Sequence, residues 1–226
     1  MPDLWGAIRV VLFGSRSNGS HNGSGSFEPA RDIKSMAGKV ILITGAAGDL
    51  GRQTAIELAK HGRPARLYVA DLPRDEAAKQ ALIDQINREA FGDSDNMVKS
   101  RTEVRFLDLD LTSFASIRAC AAEFVAKEER LDIFMLNAGI IRVATGTTKE
   151  GYEIHFGLNY LGHALLSKLL VPTMVRTATA LQHPDSDVRI VIVSSEGHRI
   201  SPKEGIQFEK LKTDCADMVC ETLPPP

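Results

Sequence analysis

Three glycines three residues apart in "ITGAAGDLGRQTA", and one aspartate 20 residues beyond the last of them, are the residues whose types and spacing most directly suggest chemistry. Gly45 permits a tight turn, Gly48 lets the main chain approach a pyrophosphate, and Gly51 lets a helix pack closely on a strand. A helix starting here offers an anion the N–H groups of its first turn, which have no acceptor within the helix. Alone, such a glycine turn is as often an ordinary strand-to-helix junction. Asp71 shifts the balance, because it stands where a carboxylate meets the ribose hydroxyls in the adenosine half of a dinucleotide. A carboxylate there repels a 2′-phosphate, so NAD is expected over NADP; Arg74 lies close enough to keep NADP possible. Asp49 stands inside the loop, where its charge raises the electrostatic cost of a pyrophosphate unless it caps the helix and faces away.

These residues need a strand before the loop and another ending at Asp71. "KVILIT" is a continuous apolar run, the pattern of a parallel strand covered on both faces. "ARLYVAD", "EVRFLDL", "LDIFMLN" and "VRIVIVS" supply four more strands. Between them, "LGRQTAIELAKHG" sets Leu50, Ile56, Leu58 and Ala59 on one helical face, with Gly62 and Pro64 as stop signals. "RDEAAKQALIDQINREA" reads as the next helix. In "SFASIRACAAEFVAKEE", Ile117, Cys120, Ala121, Phe124 and Val125 fall at helical spacing. A long helical stretch spans about 149–180, interrupted near Pro172. The alternation predicts an α/β fold, a doubly wound parallel sheet of Rossmann type with about five strands and right-handed crossovers. "SRSNGSHNGSGSFE" (15–28) has too little apolar surface to offset its ordering entropy. The expected organisation is a flexible segment over 1–31, one nucleotide-binding domain over 32–214 and an irregular tail over 215–226.

Composition excludes other classes. With 43% hydrophobic and 25% charged residues and a formal charge of -2, the chain reads as a soluble globular protein with no basic field to gather nucleic acid or anionic membrane. Cys120, Cys215 and Cys220 form neither a metal-ligand spacing nor an even disulfide framework, so no metal is expected and a reducing, cytoplasmic setting is. The apolar run "LWGAIRVVLFG" contains Arg9 and is too short to span a bilayer.

From about Lys39 to Asp214 the sequence resembles the short-chain dehydrogenase/reductases, more narrowly their retinol-dehydrogenase-like and WW-domain-oxidoreductase-like branch. "LDLTSFASIRACAAEF", "LDIFMLNAGI", "TKEGYEIHFGLNYLGHALLSKLL" and "RIVIVSSEGH" match family blocks in family order. The resemblance places Gly45, Gly48, Leu50 and Gly51 on the phosphate loop, with Asp49 where the family commonly has glycine. It places Asp110 and Leu111 at the adenine. Asn137, Ala138 and Gly139 fall on the N-A-G element that supports the central strand and borders the cofactor ribose. Asn159 matches the helix asparagine that opens the helix around a water of the proton relay, and Ser195 the serine that hydrogen-bonds the substrate carbonyl.

The implied activity is hydride transfer between a nicotinamide cofactor and a hydrophobic alcohol or carbonyl compound. In the family a tyrosine gives or takes the proton, made more acidic by a lysine one helical turn on. Tyr68, Tyr152 and Tyr160 are the tyrosines, and none has lysine four residues later. The expectation is therefore a copy lacking the C-terminal part of the fold and inactive as it stands, with marginal stability and an uncovered sheet edge. The alternative is a non-catalytic NAD-binding or interaction protein. Homo-oligomerisation is expected only of a full-length form.

Overall fold

The structure, a computed structural model, describes residues 27–92, 102–141, 143–180, 187–195 and 205–216. After a single helical turn, α1 (Pro29–Asp32), the chain alternates strand and helix: β1 (Val40–Thr44), α2 (Asp49–Glu57), β2 (Arg66–Asp71), α3 (Glu76–Phe91), β3 (Glu103–Asp108), α4 (Phe114–Lys127) and β4 (Ile133–Leu136). A π-helical segment, Phe156–Gly162, then leads into α5 (His163–Ala180), and β5 (Arg189–Ile192) closes the sheet. The five strands run parallel in the order β3-β2-β1-β4-β5.

Each residue of β1 is buried, which is why its sequence shows no polar alternation. Val40 and Leu42 point to one face, packing in a core with Tyr68, Phe124, Phe134 and Leu166. Ile41 and Ile43 point to the other, with Ala55, Val69 and Ile86. The strand order reverses direction between β1 and β4, so a crevice opens above their C-terminal ends, where sheets of this kind take their ligands.

Several expectations change. The long helix begins at Phe156 rather than near 149, because residues 147–153 turn back on themselves in an antiparallel bridge between Thr147 and Glu153. α5 also runs unbroken through Pro172. Proline costs such a helix about 3 kcal/mol, and here the buried Leu170, Thr173, Met174 and Thr177 on either side keep it helical. Val125 is 43% exposed and lies off the core face of α4. In α2 the buried residues are Gly51, Thr54, Ala55 and Ile56, with Leu50 only half-buried, and Leu58 is half-buried in the π-turn that follows. Helical order starts at Pro29, inside the segment expected to be flexible; residues 1–26 of that segment, and the tail after Ala216, lie outside the described residues.

Candidate functional site

The three glycines of the turn sit in different surroundings. Gly45 adopts φ +68°, and a Cβ there would stand 2.7 Å from the Cα of Ala138. A Cβ on Gly51 would stand 2.3 Å from the Gly45 carbonyl oxygen and 2.8 Å from the Cα of Ala46, so this glycine lets α2 seat against β1. Gly48 differs: its Cβ would meet only the Gly45 oxygen, at 3.5 Å, and otherwise open space above the loop.

The helix that starts here is finished differently from its neighbours. Asp75 caps α3 by accepting the Ala78 N–H, and Ser113 caps α4 by accepting that of Ser116. Gly48 occupies the cap position of α2 and offers no side chain, so the first-turn N–H groups face the crevice without a protein partner from a cap. Asp49 is therefore the first helical residue, not the cap. Its exposed carboxylate pairs with Arg52 at 2.8 Å.

Asp71 closes β2 and turns toward this loop. Its Oδ2 accepts the Ala47 N–H at 2.8 Å, and its Oδ1 accepts the Leu72 N–H at 2.9 Å and a guanidinium N–H of Arg74 at 3.2 Å. The third wall is the turn after β4. Asn137 donates from Nδ2 to the carbonyls of Thr44 and Gly45, at 2.9 and 3.3 Å, and the Thr44 hydroxyl oxygen accepts the N–H groups of Asn137 and Ala138, both at 3.0 Å.

Gly45, Gly48, Asp49, Leu50, Gly51, Asp71, Leu111, Asn137, Ala138 and Gly139 all line one crevice of about 540 Å³. Asp110 borders it without lining it: its carboxylate bends back to accept from the N–H and hydroxyl of Thr112, at 2.9 and 2.6 Å, and pairs with Lys149 at 3.2 Å. Although burial opposes it, these partners hold the Asp110 carboxyl below its usual pKa. Asn159 lies in the π-helical segment. Its side chain clamps Ile140, accepting the N–H at 2.9 Å and donating to the carbonyl at 3.0 Å. Ser195 follows β5 and is exposed, apart from the lining residues.

Sequence reasoning overlooked Ala47, Leu109, Ile140 and Leu158 in the lining. Each is a chain neighbour of a residue named from the sequence, Leu158 within the π-helical segment. A larger hollow of about 1080 Å³ opens at the opposite end of the sheet beside Arg66, Glu128 and Arg130. There Arg66 pairs with Glu128, and Arg130 with Asp132. Among the described residues no cluster of three or more His, Cys, Asp or Glu could hold a metal ion.

A family model described as short chain dehydrogenase matches residues 39–205. The chain belongs to the short-chain dehydrogenase family. An uncharacterized oxidoreductase of Schizosaccharomyces pombe is 41% identical over 180 residues, covering 80% of this chain and 49% of that protein. Retinol dehydrogenase 14 of Homo sapiens is 35% identical, covering 79% and 50% respectively. This short-chain dehydrogenase chain thus spans about half the length of these relatives. Among solved structures, the 3-ketoacyl-(acyl-carrier-protein) reductase of Brucella melitensis complexed with NADH superimposes with a TM-score of 0.54 at 25% identity, covering 74% of this chain and 62% of that one.

None of Tyr68, Tyr152 and Tyr160 lines the crevice. Tyr68 is buried in β2, where it donates to Glu128 at 2.8 Å, and burial with that carboxylate pushes its pKa up to about 12. Tyr152 lies beneath the Lys212 ammonium, 3.5 Å from its ring centre, and Tyr160 is 60% exposed.

Proposed function

We propose that the chain binds a nicotinamide dinucleotide in the crevice between the glycine loop, Asp71 and the Asn137–Gly139 turn. The observation that carries this is the uncapped start of α2, with open space above Gly48, facing a carboxylate at the end of the neighbouring strand. Those residues fit the two polar parts of a dinucleotide: N–H donors for the diphosphate and an acceptor for ribose hydroxyls. The NADH complex of the 25% identical reductase supports the same cofactor class here.

NAD is favoured over NADP. Asp71 is held in place by Ala47, and its partner Arg74 is occupied by that same carboxylate. Turning Arg74 toward a 2′-phosphate would leave Asp71 facing that phosphate unpaired.

The chemistry proposed for the family fold is hydride transfer to or from a hydrophobic alcohol or carbonyl compound, with the cofactor supplying the hydride. Asn159 and Ser195 are the residues proposed for the substrate end. No tyrosine here has a lysine one turn on, so the residues present hold the cofactor without an acid to complete the transfer. Removing a general acid costs about 10²- to 10⁴-fold in rate. Fluorescence titration with NADH should saturate, NADPH should bind at least about tenfold more weakly, and retinol oxidation should remain at background. A flat NADH titration would refute the proposal. A non-catalytic role for this length of chain is the second reading, favoured by the same missing pair.

A further inference from the structure

His163 is the first residue of α5 and is 5% exposed. Its Nε2 lies 2.9 Å from the Thr44 hydroxyl, and its Nδ1 lies 3.0 Å from the carbonyl oxygen of Asn159. The Thr44 oxygen already accepts two N–H groups, from Asn137 and Ala138. Both of its lone pairs are therefore taken, and its own proton must be donated. The Met135 carbonyl is a distant acceptor at 3.5 Å, so the proton goes to His163. That makes Nε2 the bare nitrogen and leaves Nδ1–H to donate to Asn159, which in turn clamps Ile140. A closed ring of hydrogen bonds results: Thr44, the 137–140 turn, Asn159, His163 and back to Thr44.

We propose that His163 is a positioning residue of the nucleotide crevice: its neutral, Nδ1-protonated ring locks the Asn137–Gly139 wall to β1 and to the Asn159 helix, and its protonation opens that wall. An imidazolium would present N–H at both nitrogens to Thr44 and Asn159. Thr44 could accept it only by releasing Asn137 or Ala138. This inference rests on the nucleotide reading for its binding consequence and on geometry alone for the ring itself. Burial lowers the pKa of His163, opposed by the Asn159 carbonyl; no charged side chain contributes. The charged groups at the crevice sit on other elements and are paired: Asp49 with Arg52, Asp71 with Arg74, Asp110 with Lys149. The other described histidines, His61 and His155, pair with Glu57 and Glu153.

The test is NADH affinity from pH 7.5 to 5.0 for the full chain and for His163→Gln and His163→Phe, each checked for folding by near-ultraviolet circular dichroism. The wild type should weaken about tenfold on acidification, the loss expected for one buried hydrogen bond. His163→Gln keeps an acceptor for Thr44 and does not titrate, so it should bind several-fold more weakly at pH 7.5 yet with a flat profile. His163→Phe should be weaker still. A Gln variant with the wild-type slope, or a folded Phe variant with wild-type affinity, would overturn the proposal. Nitrogen-15 spectra of the same samples decide the matter without ligand. The Ala138 and Ile140 amides should titrate together with His163 in the wild type and stay still in His163→Gln; amides indifferent to His163 would overturn the ring. Failure of the wild type to bind NADH at pH 7.5 would instead strike the nucleotide reading, while the amide titration still judges the ring.

Discussion

β1 and β5 are both parallel strands paired to β4, yet they are held in different ways. β1 lies between two strands with both faces covered, and Val40, Ile41, Leu42 and Ile43 are all 0% exposed. Among the described residues β5 pairs on one side only, and Ile190 and Ile192 are 44% and 71% exposed. Val191 still packs against one core, and beside the strand Lys39 pairs with Asp187 at 3.1 Å, a kind of contact that contributes little when partly solvated. The difference maps onto the proposed function. The elements that would hold a nucleotide grow from the doubly covered part of the sheet, whereas Ser195 follows the exposed strand. The residues proposed to hold the cofactor and the serine proposed to meet substrate therefore rest on regions of unequal firmness.

That contrast can be broken most forcefully at Gly51. An added methyl there meets backbone on two sides, so Gly51→Ala should cost about 3 kcal/mol in urea unfolding and abolish NADH binding. Asp71→Ala comes next. It releases the Ala47 N–H as well as the ribose acceptor, and titration should show NADH affinity falling about 10- to 100-fold.

Acidification should weaken the fold in two stages. His163, with a lowered pKa, takes up protons more readily unfolded than folded, so stability falls as pH drops below about 6.5. Asp110 and Glu153, also lowered, add a second loss below about pH 4. Urea midpoints measured between pH 8 and 3 check both stages; a midpoint independent of pH would contradict them. A smaller effect is expected at Asp49. Removing an exposed charge beside the helix start in Asp49→Gly should tighten NADH binding about fivefold at low ionic strength, with the gain shrinking in high salt. Smallest of all, Ile192→Ser on the exposed strand should change stability by less than about 0.5 kcal/mol. A loss of several kcal/mol there would erase the distinction between the two regions.

Much of this was legible in the residues themselves. Uninterrupted apolar runs give the buried parallel strands, and the glycine spacing with Asp71 gives the loop and its partner acid. What local pattern could not convey is what sheet order brings together. The turn at Asn137 meets Thr44, 93 positions away, only because β4 lies beside β1. His163 carries no signal as an isolated polar residue in an apolar helix; its meaning comes from the Thr44 hydroxyl it faces. Pro172 misleads for the opposite reason: burial on either side of it outweighs a local preference. Asp110 lies beside the crevice, but Thr112 and Lys149, invisible as partners in the linear order, turn its carboxylate aside.

The most direct test is a crystal structure of the full chain grown with saturating NADH. The diphosphate should lie against the amides at the start of α2, above Gly48, with the adenosine ribose hydroxyls within hydrogen-bond reach of Asp71. A crevice left vacant under those conditions, or a nucleotide bound elsewhere on the molecule, would contradict the account.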